Sequence, residues 1–163
     1  MKKLKILKYP DKKLRKIAKP VKRFDQNLQN LVQEMLKIMY KKKGIGLAAT
    51  QVNIPLQIIV IDKISDLKKP IILINPKIKK KFGKILKIKE GCLSIPIYEY
   101  ITYSRKKYIT IKYYNIYGEK FFLNAKNILS LCIQHEIDHL KGKLFIDYLS
   151  PLKKNRINKK LIK

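Results

Sequence analysis

The chain has 163 residues and a mass of 19.3 kDa, the size of one domain. Its 46% hydrophobic content argues against disorder, and no apolar run approaches the roughly 20 residues of a membrane helix. The net charge of +28 suggests polyanions, but only Arg15, Arg23, Arg105 and Arg156 of the 39 basic residues are arginine; the scattered lysines read as solvated residues of compositional origin, not as sequence-specific nucleic-acid recognition.

In chain order, Asp11 to Ala18 is expected to make a short helix that ends before Pro20. After Asp25, a candidate cap, Leu28, Leu31, Val32, Met35 and Met39 recur at helical spacing, and Gly44 is expected to stop that helix. Gly44 to Val52 reads as irregular. Strands are expected from Gln57 to Asp62 and from Ile71 to Asn75, before Pro76, with a hairpin around Gly83. Tyr108 to Tyr117 alternates as a strand, and Gly118 turns it towards Phe121 and Phe122. From Asn124 the period becomes helical through Ile128, Leu131, Cys132, His135 and His139, ending at Gly142. Ser150 and Pro151 open a last basic helix. Helices and antiparallel strands fall in separate runs, which predicts an α+β fold in one domain, residues 1–163.

Met1-Lys2-Lys3 resembles the start of a signal peptide, but Lys8 interrupts any apolar core segment, so a cytoplasmic address is expected. Two cysteines make no disulfide framework, and free thiols are then available as metal ligands.

Both histidines of the chain lie in His135-Glu136-Ile137-Asp138-His139. On a helix, positions i and i+4 share a face, so both imidazoles reach one cation, with Glu136 placed beside a metal-bound water. A catalytic site needs a third protein ligand. The extended protease pattern would put a histidine three residues past Gly142, where Phe145 stands. Asp147 is one candidate, past the helix-breaking Gly142. Cys92, in Glu90-Gly91-Cys92-Leu93-Ser94, is the better one.

Three segments together resemble the peptide deformylase family, in the family's order: Gly44-Ile45-Gly46-Leu47-Ala48-Ala49-Thr50-Gln51, Glu90-Gly91-Cys92-Leu93-Ser94 and Gln134-His135-Glu136-Ile137-Asp138-His139. The resemblance runs from Pro10 to Leu152. It implies antiparallel sheets packed around a central helix that carries the two histidines.

The resemblance also implies a function: a metal-dependent hydrolase that removes the formyl group from N-formylmethionyl nascent peptides and releases formate. Cys92, His135 and His139 would hold one divalent ion, Fe(II) by resemblance, with zinc, nickel or cobalt as substitutes. Glu136 would be the general base. The Gln51 side chain and the Leu93 N–H would stabilise the oxyanion. Ile45 and Gly46 would offer backbone to the substrate, and Ile88, Ile128, Leu131 and Cys132 would line the methionine pocket. Glu90 would pair with Arg105. The chain departs from the family at Ile97-Tyr98-Glu99-Tyr100, where many bacterial members carry an arginine, so contacts beyond the formylmethionine are open. The tail from Lys153 to Lys163 is a candidate ribosome contact. Two other readings, an H-E-x-x-H metallopeptidase and a non-enzymatic RNA-binding protein, leave Cys92 or the motifs without a role.

Overall fold

The Asp25 side chain accepts a hydrogen bond from the Leu28 N–H and so starts helix α1, Gln26–Lys41. The structure is a computed structural model that describes residues 4–64 and 67–161; the basic start at residues 1–3 and the last two residues of the tail lie outside the described residues. The helix does not end on glycine. Lys43 takes the left-handed conformation (φ 57°), with its N–H on the Tyr40 carbonyl and the Gly44 N–H on that of Met39, which completes a Schellman cap. Gly44 is small for another reason: a side chain there would lie 2.6 Å from Leu93.

The segment read as irregular holds a short strand, β1 (Gly46–Ala48), and a 3-10 turn over Ala49–Val52. β2 (Ile58–Ile61) and β3 (Ile71–Ile85) come next. The expected strand after Ile71 does not stop at Pro76, and there is no hairpin at Gly83. β3 runs through both and pairs antiparallel with β6 (Lys106–Tyr114), with register shifts between Ile74 and Lys77, between Ile78 and Lys80 and between Phe82 and Ile85. Gly83 (φ 78°) sits at the last of the three shifts, where a side chain would strike the Tyr108 ring. Proline and glycine here mark bulges in one long strand, not turns.

β4 (Glu90–Cys92) and β5 (Ile95–Tyr100) form a separate hairpin, with Leu93 and Ser94 at its tip. β7 (Lys120–Lys126) completes a five-stranded antiparallel sheet of order β1-β2-β3-β6-β7. The helical period expected from Asn124 begins only at Asn127, because β7 pairs with β6 as far as Lys126. Helix α2 (Asn127–Leu140) packs on one face of the sheet, burying Ile59, Ile61, Leu73, Ile109, Ile111 and Ala125 against Leu129, Cys132, Ile133, Ile137 and Leu140. Helix α1 covers the other face at the β1–β2 end, through Leu28, Val32, Met35 and Met39. The first expected helix is a single 3-10 turn, Lys12–Arg15. Helix α3 (Pro151–Leu161) docks through Ile157 against Leu14, Ile95 and Phe145. No helix among the described residues is long and apolar enough to cross a membrane.

Candidate metal centre

Every residue of α2 from Leu129 to Leu140 is buried, so the side chains of this helix are held on all sides. His135 and His139, one turn apart, turn their Nε2 atoms to within 3.2 Å of each other. The β4–β5 hairpin brings Cys92 Sγ to 3.2 Å from His139 Nε2. The three donor atoms lie within 4.8 Å of one another.

Two imidazole nitrogens and a thiol sulfur converging in a buried volume fit a divalent cation, and a thiolate with two imidazoles suits zinc or iron. Left to protons, the two imidazoles are driven apart. Burial works against charge on His135, yet Cys92 and Glu90 push its pKa well above the usual value; burial and the charge of His135 push His139 well below it. A metal ion satisfies all three at once.

His135 is oriented from behind. Its Nδ1 lies 2.8 Å from Glu90 Oε2, which fixes the ring and leaves Nε2 for the metal. Glu90 also accepts from Thr102 Oγ1 and from Arg105, whose Nη2 is 3.1 Å away. Burial opposes ionisation of Glu90, but the His135 hydrogen bond and the Arg105 charge outweigh it and hold the carboxyl at about 2. Arg105 bridges on to Asp138, which accepts from Tyr148 Oη at 2.9 Å. The expected Glu90–Arg105 pair is present. The direct hold of Glu90 on His135, and the part of Asp138, are not readable from the sequence pattern: residues 45 apart carry no spacing signal, and the only cue is the place of Asp138 within the histidine motif. Replacing Arg105 by methionine strands two buried carboxylates and is expected to cost about 3–5 kcal/mol of stability, read from urea unfolding.

Asp147 is engaged elsewhere. It binds Arg15 and Lys154 and accepts from the Leu144 N–H. Phe145, where a protease would place its third histidine, packs 6.1 Å from the His135 ring.

The donors open onto a cleft of about 700 Å³ lined by Ile45, Gly46, Gln51, Cys92, Leu93, Ile128, Leu131, Cys132, His135 and Glu136. His139 closes the site from below and does not line it; Ile88, half-buried, is not among the lining residues either. Tyr98 and Glu99 line the cleft where the chain departs from the family pattern.

Gln51 is fixed. Its Oε1 accepts from the Ala48 N–H at 2.8 Å, so its amino group faces Ser94 Oγ (3.1 Å) and Cys92 Sγ (3.6 Å). Glu136 is fully buried, and its Oε2 has no hydrogen-bond partner. Burial pushes its carboxyl up to about 7 against the opposing charges of His135 and Arg105. Gly46 is small because Glu136 Oε1 and Cys132 Sγ would each lie 2.7 Å from a Cβ there. Cys132 is buried, and burial keeps its thiol neutral by raising its pKa well above normal.

β1 is an edge strand beside this cleft. The Ile45 carbonyl accepts from the Asp62 N–H at 2.9 Å, so it is already used by the sheet. The alternation of an antiparallel ladder then turns the polar backbone of Gly46 to the open side. Gly46 so presents both its backbone polar groups to the open side, and Ile45 adds a half-exposed side chain to the cleft.

The profile of a family described as polypeptide deformylase matches residues 3–155. A peptide deformylase of Buchnera aphidicola is 58% identical over 160 residues, covering 98% of this chain and 91% of that one. A peptide deformylase of Pseudoalteromonas translucida is 50% identical, covering 98% and 95%. Among solved structures, a peptide deformylase from Legionella pneumophila superposes with a TM-score of 0.89 at 42% identity, covering 98% and 93%. One from Ehrlichia chaffeensis, in complex with actinonin, gives 0.90 at 35%, covering 99% and 96%.

Proposed function

We propose a mechanism on one premise: the chain belongs to the polypeptide deformylase family. Members are metal-dependent hydrolases that act on formylated nascent peptides. In our reading residues 1–163 form one catalytic domain, and Cys92, His135 and His139 hold the metal. The convergence of these three donors beside an unpartnered carboxylate carries the reading.

A bound divalent ion supplies a Lewis acid that acidifies water and polarises the formyl carbonyl. The protein's own part is positional. Glu136 takes the proton of the attacking water and returns it to the leaving amine. The Gln51 amino group and the Leu93 N–H donate to the oxygen that gains charge, at a cost of about 10²–10³ in rate if one donor is lost. The peptide adds as a strand along Gly46, and its methionine side chain lies against Ile128, Leu131 and Cys132. Ile88, from the segment leading into β4, belongs to the same apolar subsite in our reading.

We assign Fe(II) to the site, with zinc, nickel and cobalt as competent substitutes; metal analysis of anaerobically purified protein, with formate release measured on the same sample, tests this. The cytoplasm is the expected compartment. A ribosome contact through α3 would use the exposed Lys153, Arg156, Lys159 and Lys160. Unchanged ribosome co-sedimentation after removal of the residues beyond Pro151 would remove it.

Formyl-methionyl peptides should turn over while acetyl-methionyl ones are strongly rejected. The formyl hydrogen leaves room at the attacked carbon, which a methyl would crowd among Gly46, Gln51 and Leu93. Comparable formate and acetate release from matched peptides would overturn this.

A further inference from the structure

Strands β3, β6 and β7 together carry ten lysines and no aspartate or glutamate. Their register sorts the side chains. Ile78, Ile109, Ile111 and Ala125 face α2. The opposite face shows the cross-strand rows Phe82–Tyr108–Lys126, Lys80–Thr110–Asn124 and Lys77–Lys112–Phe122. Helix α1 packs on this side of the sheet only at the β1–β2 end, with Ile74 and Tyr114 at its margin. The three rows beyond carry no covering element among the described residues.

That bare face is built in a particular way. Phe122 is 63% and Phe82 43% exposed, a large apolar outlay on a surface otherwise polar. Phe82 and Tyr108 stack with ring centroids 5.2 Å apart and planes 21° apart. Lysine ammonium groups lie over the rings: Lys80 over Phe82 at 5.2 Å and Lys107 over Tyr108 at 5.1 Å. Lys112 stands directly across from Phe122. Aromatic rings for base faces, interleaved with cations for phosphates, are the two components of a single-strand binding platform. A flat acidic protein partner would pair with the lysines but leave the rings without a use.

We propose that this face of β3, β6 and β7 binds single-stranded RNA, with one base stacked on Phe122, another on the outer face of the Phe82–Tyr108 pair as the lysine over that face swings to a phosphate, and phosphates held by Lys80, Lys112 and Lys126. RNA, in preference to DNA, rests on the reading above that the substrates are nascent peptides, which are found on translating ribosomes. The surface is separate from the α3 tail and from the metal centre, so it tethers the enzyme without entering the chemistry.

A chain of this charge binds any polyanion, so the test varies the rings and leaves the charge alone. Anisotropy of a labelled polyuridylate of about twelve nucleotides, at ~0.15 M salt, is measured with the full-length, metal-loaded protein. Phe122→Ala and, separately, Phe82→Ala should each weaken binding at least about fivefold. Phe122→Leu, which keeps apolar bulk but has no ring, should do the same. Affinity for inorganic polyphosphate, affinity for duplex RNA of equal length, and turnover of a formyl-methionyl tripeptide should be unchanged. Unchanged polyuridylate affinity in both Phe122 variants overturns the proposal, as does an equal loss for polyphosphate. Deleting the residues beyond Pro151 should leave the Phe122 effect intact; if it abolishes RNA binding, the tail is the site instead. None of these outcomes bears on the catalytic assignment, which deformylation itself reports.

Discussion

Glu136→Gln should retain the metal ion and lose at least about 10²-fold in turnover of formyl-methionyl peptides, the usual share of a general base. Glutamine matches glutamate in shape, so it can occupy the gap between Gly46 and Cys132 without moving α2. It cannot take a proton. Glu136 is not one of the converging donors, which are Cys92, His135 and His139. Its free Oε2 is what a base awaiting its water requires. The measurement is metal stoichiometry beside kcat in one preparation. Loss of metal would make Glu136 a ligand, and full activity would place the base elsewhere.

The two cysteines should separate completely. Cys92→Ala removes one of the three proposed metal ligands and should strip or greatly weaken the metal, abolishing turnover. Cys132→Ala should keep the metal and most activity. Its sulfur packs beside Gly46 in an apolar neighbourhood, so the change is one of volume, of the order of 1 kcal/mol or more from the small cavity left. The binding of the substrate methionine should shift moderately, read as a change in KM. An empty site in Cys132→Ala with a full one in Cys92→Ala would invert the ligand assignment.

Local features are the legible ones. Helix α1 can be read from its 3.6-residue period and Asp25, and α2 from its period and its paired histidines. The chemistry of the site is legible because the two histidines sit within five residues and the cysteine within its own short segment. Strand pairing is not. Pro76 and Gly83 carry the same letters whether they turn the chain or bulge a strand, and only the partner strand β6 decides. The Glu90–His135 contact is invisible for the same reason, since the hairpin that delivers it is placed by the fold. Gly44 marks the right boundary for the wrong reason: Lys43 makes the turn, and Gly44 yields space to Leu93.

The enclosure of α2 also governs which residues it can hold. Between Asn127 and Leu140 there is not one lysine or arginine, in a chain that has 39 of them. Helix α1, with one face in water, has taken up Lys37 and Lys41. A helix enclosed on every side has no outward position where a lysine could keep its charge in water. Among the described residues every lysine stands where it reaches water, and the absence of lysine from Leu129 to Leu140 marks a stretch where each outward direction is taken by a packed neighbour. His135, Glu136 and His139 all lie inside that stretch, where packing leaves no place for a charge without a partner.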